Sequence, residues 1–242
     1  NPGYLSDIVI TNGEKRVHFL SMSHIATDSF YEEKKEKIAL LNASGSIFYV
    51  EWVAPGSEES HNTFNKSLGM DFTNELYETF ARVTWLQMQE NEYLMTGVDM
   101  NKIRNVDMSM DEIATYLTGS AMLTESWSVA VNIPELIQTF ENMNGQEKIF
   151  VRYVLRAFFN WNLKNTASIE SAIMAWSKAE LFDVILIKRN DRIINAIHEG
   201  QDKEVVVIYG ALHFPGILNG LKKQDPKWHI ESFESSAPYR GE

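Results

Sequence analysis

The sequence contains no cysteine, and this absence removes several kinds of site at once. Disulfide bonds, thiolate metal ligands and cysteine nucleophiles are all excluded. Any metal ion must therefore be held by histidine and carboxylate side chains. The absence fits either a reducing or an oxidising compartment, so it does not indicate where the protein works.

Positive charge is also scarce. Lysine and arginine number 22 against 33 aspartate and glutamate residues, which gives a formal net charge of −11. No cluster of basic residues interleaved with aromatics offsets this balance, so we expect nucleic acid and anionic lipid surfaces to be repelled. A metal ion or a cationic substrate is easier to accept on electrostatic grounds.

Long apolar runs and flexible tracts are missing as well. No uncharged apolar run approaches the ~18 residues of a membrane-spanning helix, and no Pro-, Gly- or Ser-rich tract provides a long linker. We therefore expect residues 1–242 to be a soluble piece, and a membrane anchor outside them stays open. The oligomeric state does not follow from the sequence.

The pattern of apolar residues predicts one α/β (α+β) domain over residues 1–242. It consists of two strand–helix halves with a mixed central sheet and a large helical insertion in the middle. The N-terminal half covers residues 1–71, the insertion residues 72–188, and the C-terminal half residues 189–242.

The N-terminal half begins with a predicted hairpin, with strands over residues 7–10 and 16–21 around an Asn-Gly turn. A capping box formed by Ser29 and Glu32 predicts a helix over residues 30–41. A short β-prone run, residues 47–50, then ends directly at a glutamate.

The insertion shows helical periodicity, with predicted helices that include residues 146–163 and 167–178, and no sheet is expected there. Asp107, Ser109 and Asp111 begin like a calcium-binding loop, but Glu112 stands where that loop requires glycine. We interpret these residues as the cap of a helix.

The C-terminal half alternates helix and strand: helices over residues 189–198 and 214–223, and strands over residues 205–209 and 228–233. Residues 205–209 are all apolar, without polar alternation. This predicts a strand covered on both faces, as in parallel or mixed sheets.

Three polar residues follow predicted strands: His24, Glu51 and His213. Binding crevices form at the C-terminal ends of strands in α/β sheets, so we expect these side chains at one edge. Either histidine alone is more often structural, and Glu51 alone is about as often a strand end whose side chain turns into water. Together they form a His₂-carboxylate set, which suits a hydrolytic divalent metal with a position left for water.

Four blocks of sequence resemble, in order, the motifs of the TraB/PrgY, GumN and TIKI group. They are residues 21–24 (Ser-Met-Ser-His), 48–51 (Phe-Tyr-Val-Glu), 188–192 (Lys-Arg-Asn-Asp-Arg) and 207–217 (Val-Ile-Tyr-Gly-Ala-Leu-His-Phe-Pro-Gly-Ile). The last block is the most specific, and the middle of the chain matches only in being helical.

This resemblance implies a fold related to the erythromycin-esterase-like group. Proteins of this group are described as metal-dependent peptidases or as pheromone-shutdown factors, so the resemblance implies one of these activities. It also suggests an extracytoplasmic or membrane-associated location. The implied site residues are His24, Glu51, Arg189, Asn190, Gly210 and His213. One departure is Ser21, where the family pattern has glycine, so we expect an altered turn and a less close backbone approach.

Two of the implied residues have alternative roles. Arg189 is expected to orient Glu51 or to clamp a substrate carboxylate or oxyanion, and the alternative is a surface charge at a helix start. Asn190 is expected to donate to a carbonyl oxygen, or merely to cap its helix.

The leading hypothesis is that His24, Glu51 and His213 bind Mn, Co or Zn, whose bound water attacks a carbonyl of a peptide or small-molecule substrate. In this hypothesis Arg189 and Asn190 stabilise the oxyanion. The second hypothesis is a metal-independent, esterase-like hydrolase in which a histidine acts as general base. The third is a module that sequesters a peptide without cleaving it.

Overall fold

The structure is a computed structural model, and it describes residues 3–68, 74–119, 133–165 and 183–240. The helix predicted over residues 167–178 lies outside these described residues. The described strands are β1 (Leu5–Thr11), β2 (Arg16–Met22), β3 (Ile25–Ala26), β4 (Ile47–Val50), β5 (Gln87–Met88), β6 (Ile103–Asn105), β7 (Glu204–Gly210) and β8 (His229–Ser236).

The described helices surround the strands. The α-helices are α1 (Asp28–Ala43), α2 (Glu58–Leu68), α3 (Asn74–Thr84), α4 (Asn91–Leu94), α5 (Met110–Gly119), α6 (Ile133–Asn142), α7 (Gly145–Lys164), α8 (Arg189–Glu199) and α9 (Phe214–Gln224). In the described ranges, none of them combines the length and the apolar character that crossing a bilayer requires.

The main sheet has six strands in the order β6-β4-β7-β2-β1-β8. β6, β4, β7 and β2 are parallel to one another, and β1 is antiparallel to its neighbours β2 and β8. The predicted mixed α/β fold is therefore confirmed. Because four neighbouring strands point the same way, the segments that follow them emerge at one edge of the sheet.

β7 is covered on both faces, as its apolar run predicts. Val207 and Tyr209 pack with residues of α8 and α9, whereas Val206 and Ile208 pack with residues of α1 and α4. This alternation follows from the two-residue period of a strand. Helices on both faces hold β7 firmly in the middle of the sheet.

The hairpin of β1 and β2 is confirmed, and Gly13 in its turn has φ +90°, a conformation that glycine adopts without strain. The start of α1 differs from the prediction. Thr27 is the cap, because its side chain accepts from the Phe30 N–H, while Ser29 contacts the Thr27 hydroxyl at 3.1 Å.

The insertion is not free of strands. β6 lies within residues 72–188 and pairs in parallel with β4, so the prediction that this region contributes no sheet is wrong. β6 has only three residues. A run this short gives almost no periodic signal in a sequence.

Candidate active site

Glu51 is placed by the sheet itself. Its N–H donates to the Ile208 carbonyl at 3.0 Å and so continues the pairing of β4 with β7. Its Oε2 accepts from the Gly210 N–H, and its Oε1 accepts from Nη2 of Arg189, both at 2.5 Å. Burial alone would raise the pKa of Glu51, but the charge of Arg189 and the hydrogen bond from the Gly210 N–H lower it overall. The carboxylate is therefore ionised at neutral pH.

Arg189 begins α8 and joins two carboxylates. Its Nε and Nη2 donate to both oxygens of Asp107 at 2.8 and 2.7 Å, and Nη2 also donates to Glu51. Burial tends to lower the pKa of Arg189, but the hydrogen bond to Asp107 and the charge of Glu51 raise it overall. The side chain is only 9% exposed. Arg189 is therefore not a surface charge. It contacts Glu51, as its expected role in orienting that carboxylate requires.

Asp107 is the functional-site residue that sequence reasoning missed. It follows β6, and its side chain is fully buried against Arg189. The helix cap next to it is confirmed, since the Ser109 N–H donates to Glu112 and the Glu112 N–H donates to the Ser109 hydroxyl. Asp107, however, is not part of that cap. Asp107 follows a strand as Glu51 does, but β6 has only three residues and therefore gives no clear strand signal in the sequence.

His213 is fixed by Asn190. The His213 Nδ1 and the Asn190 Oδ1 are 2.7 Å apart, and the imidazole is buried. Burial lowers the pKa of His213 to about 4, so the ring is neutral at physiological pH. Because the amide oxygen can only accept, the proton lies on Nδ1 and Nε2 keeps its lone pair. Asn190 therefore uses this oxygen to hold His213 and not to cap α8.

Gly216 leaves room for this arrangement. A Cβ atom at Gly216 would lie 2.2 Å from Nδ2 of Asn190, which is closer than two such atoms can approach. α9 thus packs against α8 closely enough to confine the amide. The Tyr209 ring adds a wall on another side, edge-on to the His213 ring at 5.0 Å.

The free nitrogen of His213 faces Glu51. Nε2 lies 3.8 Å from Oε1 of Glu51, which is too long for a hydrogen bond. A neutral Nε2 and an ionised carboxylate oxygen are both acceptors, so they do not satisfy each other. A cation or a donating water between them would satisfy both. Two ligands at roughly 2.1 Å from a tetrahedral ion are about 3.4 Å apart, close to the observed separation.

His24 lies at the same edge of the sheet, one strand away. Met22, two residues earlier, pairs with Gly210 across β2 and β7. The His24 side chain is exposed and its ring centre is 4.9 Å from that of Tyr77. The surrounding protein still lowers the pKa of His24 by desolvation, while Glu51 raises it and Arg189 lowers it. The imidazole is therefore neutral and within electrostatic reach of the other site residues.

The structure thus brings Glu51, Arg189, Asn190 and His213 into contact and places His24 nearby. Within residues 3–68, 74–119, 133–165 and 183–240, no three His, Asp or Glu side chains are grouped closely enough to hold a metal ion. The pair formed by His213 and Glu51 fits the donor set of a divalent ion, and His24 does not form a three-ligand group with them in this arrangement.

Ser21 does not alter a turn, contrary to the expectation from its replacing a glycine. It is a buried residue of β2, and the strand continues beyond it to Met22. Its hydroxyl donates to the Ser6 carbonyl at 2.5 Å, and its N–H donates to Asp7 at 3.0 Å. These contacts tie β2 to β1.

Comparison of the chain with protein-family models, with curated proteins and with solved structures found no match. The resemblance to the TraB/PrgY, GumN and TIKI group therefore stays a prediction, and the geometry of the site carries the functional inference.

Proposed function

We propose that this chain is a metal-dependent hydrolase that acts on peptides, with His24, Glu51 and His213 as ligands of a divalent ion such as Mn, Co or Zn. The observation that carries the proposal is the pair of acceptors, His213 Nε2 and Glu51 Oε1, that face each other across 3.8 Å. When bound, such an ion would polarise a carbonyl and make a coordinated water acidic enough to lose a proton near neutral pH.

The charge balance of the site favours a cation. Glu51 and Asp107 are two carboxylates against the single guanidinium of Arg189, and the imidazole of His213 is neutral. These groups together carry one net negative charge in a largely buried setting. A divalent cation is stabilised there, because low-dielectric surroundings strengthen its attraction to the excess negative charge.

The neighbours of the proposed ligands have positioning roles. Arg189 keeps Glu51 ionised and fixes its Oε1, while Asn190 holds the His213 tautomer that leaves Nε2 free. Such outer contacts set the orientation and basicity of metal ligands. Because Nε and Nη2 of Arg189 bond to Asp107 and Glu51, we assign Arg189 to orienting Glu51.

The second candidate function is hydrolysis without a metal. Arg189 and Gly210 already hold both oxygens of Glu51 in place, so no metal is needed to fix the carboxylate. A water that donates to Glu51 and to His213 can then occupy the gap between them. A histidine with a pKa of about 4 is, however, a weak general base at neutral pH. The same low pKa leaves His213 unprotonated and ready to bind a metal, and this favours the first proposal.

The test is hydrolysis of a peptide library by protein that has been freed of metal with a chelator and then given Mn, Co or Zn. We expect cleavage to stop on chelation, to return with metal, and to be lost in Glu51→Gln and His213→Ala. The control is His229→Ala, at an exposed position of β8. Cleavage that survives chelation would favour the metal-independent mechanism. Retention of intact peptide, unchanged in His213→Ala, would favour a sequestering module.

A further inference from the structure

A cavity opens beside Glu51 that the proposed chemistry does not use. Its volume is about 340 Å³, which is at the lower end of the range for small-molecule sites. Its walls come from the ends of β4 and β6, from β7 and from α4. The apolar side chains that line it are Val50, Trp52, Leu94, Met95, Met100, Ile103 and Ile208.

The inner wall of this cavity is preformed. Val50, Leu94 and Ile208 are buried residues of the core, so they do not move freely. α4 is fastened to α1, because the Tyr93 hydroxyl bonds to Glu32 and Lys35 Nζ lies 3.7 Å from the centre of the Tyr93 ring. A preformed wall reduces the entropy lost when a ligand binds.

The outer rim is apolar and accessible. Trp52 is 50% exposed and Met100 is 72% exposed, although both are large apolar residues. Exposed apolar groups beside a concave surface typically mark a binding site, and methionine adapts to differently shaped partners.

The charges of the cavity select among ligands. Its two charged lining residues, Glu51 and Glu92, are both acidic, so an anionic group is repelled. With the proposed ion bound, Glu51 is paired with that ion as well as with Arg189 and Gly210, and Glu92 is exposed to water. A cationic side chain would therefore lose its hydration without gaining a buried partner. A neutral apolar group is the better fit.

We propose that this cavity receives a neutral aliphatic or thioether side chain, of the size of leucine or methionine, from the peptide substrate. The inference rests on the proposed function for its orientation, since Glu51 belongs both to the cavity and to the proposed metal site. The bound side chain belongs to a residue next to the bond that is cleaved. Substrates with such a residue are preferred over those with glycine or with an acidic residue there.

Binding is tested directly with N-acetyl-leucinamide, N-acetyl-glycinamide and N-acetyl-lysinamide, followed by tryptophan fluorescence. The variant Trp52→Phe identifies the part of the signal that comes from Trp52, which lines the cavity. We expect a saturable change with the leucine compound and at least about tenfold weaker binding of the other two. Equal binding of leucine and glycine compounds, or tighter binding of the lysine compound, would overturn the inference.

A matched pair of variants locates the binding. Met100→Asp places a charge at the rim, and Leu40→Asp places one on α1, at a residue with the same 72% exposure that does not line the cavity. We expect Met100→Asp to weaken binding of the leucine compound at least about tenfold, and Leu40→Asp to leave it unchanged. Identical affinities in the two variants would place the binding elsewhere and overturn the inference.

Cleavage assays separate this inference from the proposed function. Peptides are compared that differ only in having leucine or glycine next to the cleaved bond. Cleavage without a preference would overturn the cavity assignment and leave the hydrolase. Leucine-selective binding that depends on Met100, with no cleavage under any metal, would overturn the hydrolase and leave the cavity as a binding site.

Discussion

The amide oxygen of Asn190 and Nδ1 of His213 are 2.7 Å apart, so a residue in the first turn of α8 fixes the imidazole that follows β7. This contact decides which ring nitrogen is free. It also links α8 directly to the segment that follows β7.

Asn190→Ala removes the acceptor that holds the Nδ1 proton of His213. We expect a loss of roughly 10- to 100-fold in metal affinity or hydrolysis, as for other outer partners of metal-binding histidines. Asn190→Asp keeps an acceptor and should recover part of the loss. Calorimetric titration with Zn and Mn measures the effect. Asn195→Ala, at an exposed position of the same helix, is the control, and equal affinities in Asn190→Ala and Asn195→Ala would contradict the role of Asn190.

Gly216→Ala should disturb the same contact without touching either polar residue. The new methyl group would lie 2.2 Å from Nδ2 of Asn190, so the amide must move. We expect activity to fall, as we expect for Asn190→Ala. We also expect the free energy of unfolding to fall by about 1–3 kcal/mol. Gly145→Ala is the matched control, because nothing lies within 4 Å of its added Cβ. Full activity of Gly216→Ala would show that the amide position does not matter.

Arg189→Met leaves two buried carboxylates without their cation. We expect the free energy of unfolding to fall by about 3–5 kcal/mol, as when one partner of a buried ion pair is removed. Urea denaturation measures it. Arg192→Met breaks the exposed pair of Arg192 with Glu112 and should cost no more than about 1 kcal/mol. Similar losses in the two variants would contradict the proposed importance of the buried network.

The stability of the metal-free protein should depend on pH through His213. Its pKa is about 4 in the folded chain against an ordinary value of 6.5. Between these values the unfolded chain binds a proton that the folded chain does not, so stability falls as pH falls from 6.5 to about 4. The shift corresponds to roughly 3 kcal/mol.

Urea titrations across this pH range measure the contribution of His213. His213→Gln should flatten the profile, whereas His198→Gln, at an exposed position of α8, should not. Parallel profiles of the wild type and His213→Gln would contradict the buried neutral state of His213.

Much of the fold follows from local sequence. β7 is recognisable because five consecutive apolar residues can only be buried on both faces, and the hairpin of β1 and β2 follows from its Asn-Gly turn. The strand ends then place Glu51 and His213 at one edge. β6 is different, because its pairing partner β4, and not its own pattern, makes it a strand.

The contacts within the site are less predictable. The hydrogen bond of Arg189 to Glu51 joins residues 138 positions apart, and its bond to Asp107 depends on a strand that has no clear signal. A motif indicates Arg189, whereas the sequence around its partner Asp107 indicates only a helix cap. The role of Asn190 likewise depends on Gly216 bringing α9 close to α8.

The position of β7 between β4 and β2 has a consequence for protein synthesis. Both flanking strands leave the ribosome long before β7, yet they do not hydrogen-bond to each other. In a nascent chain that ends at α7, Glu51 lacks the N–H of Gly210 and the guanidinium of Arg189 that hold it in the folded chain. The candidate site is therefore incomplete until β7 has been synthesised.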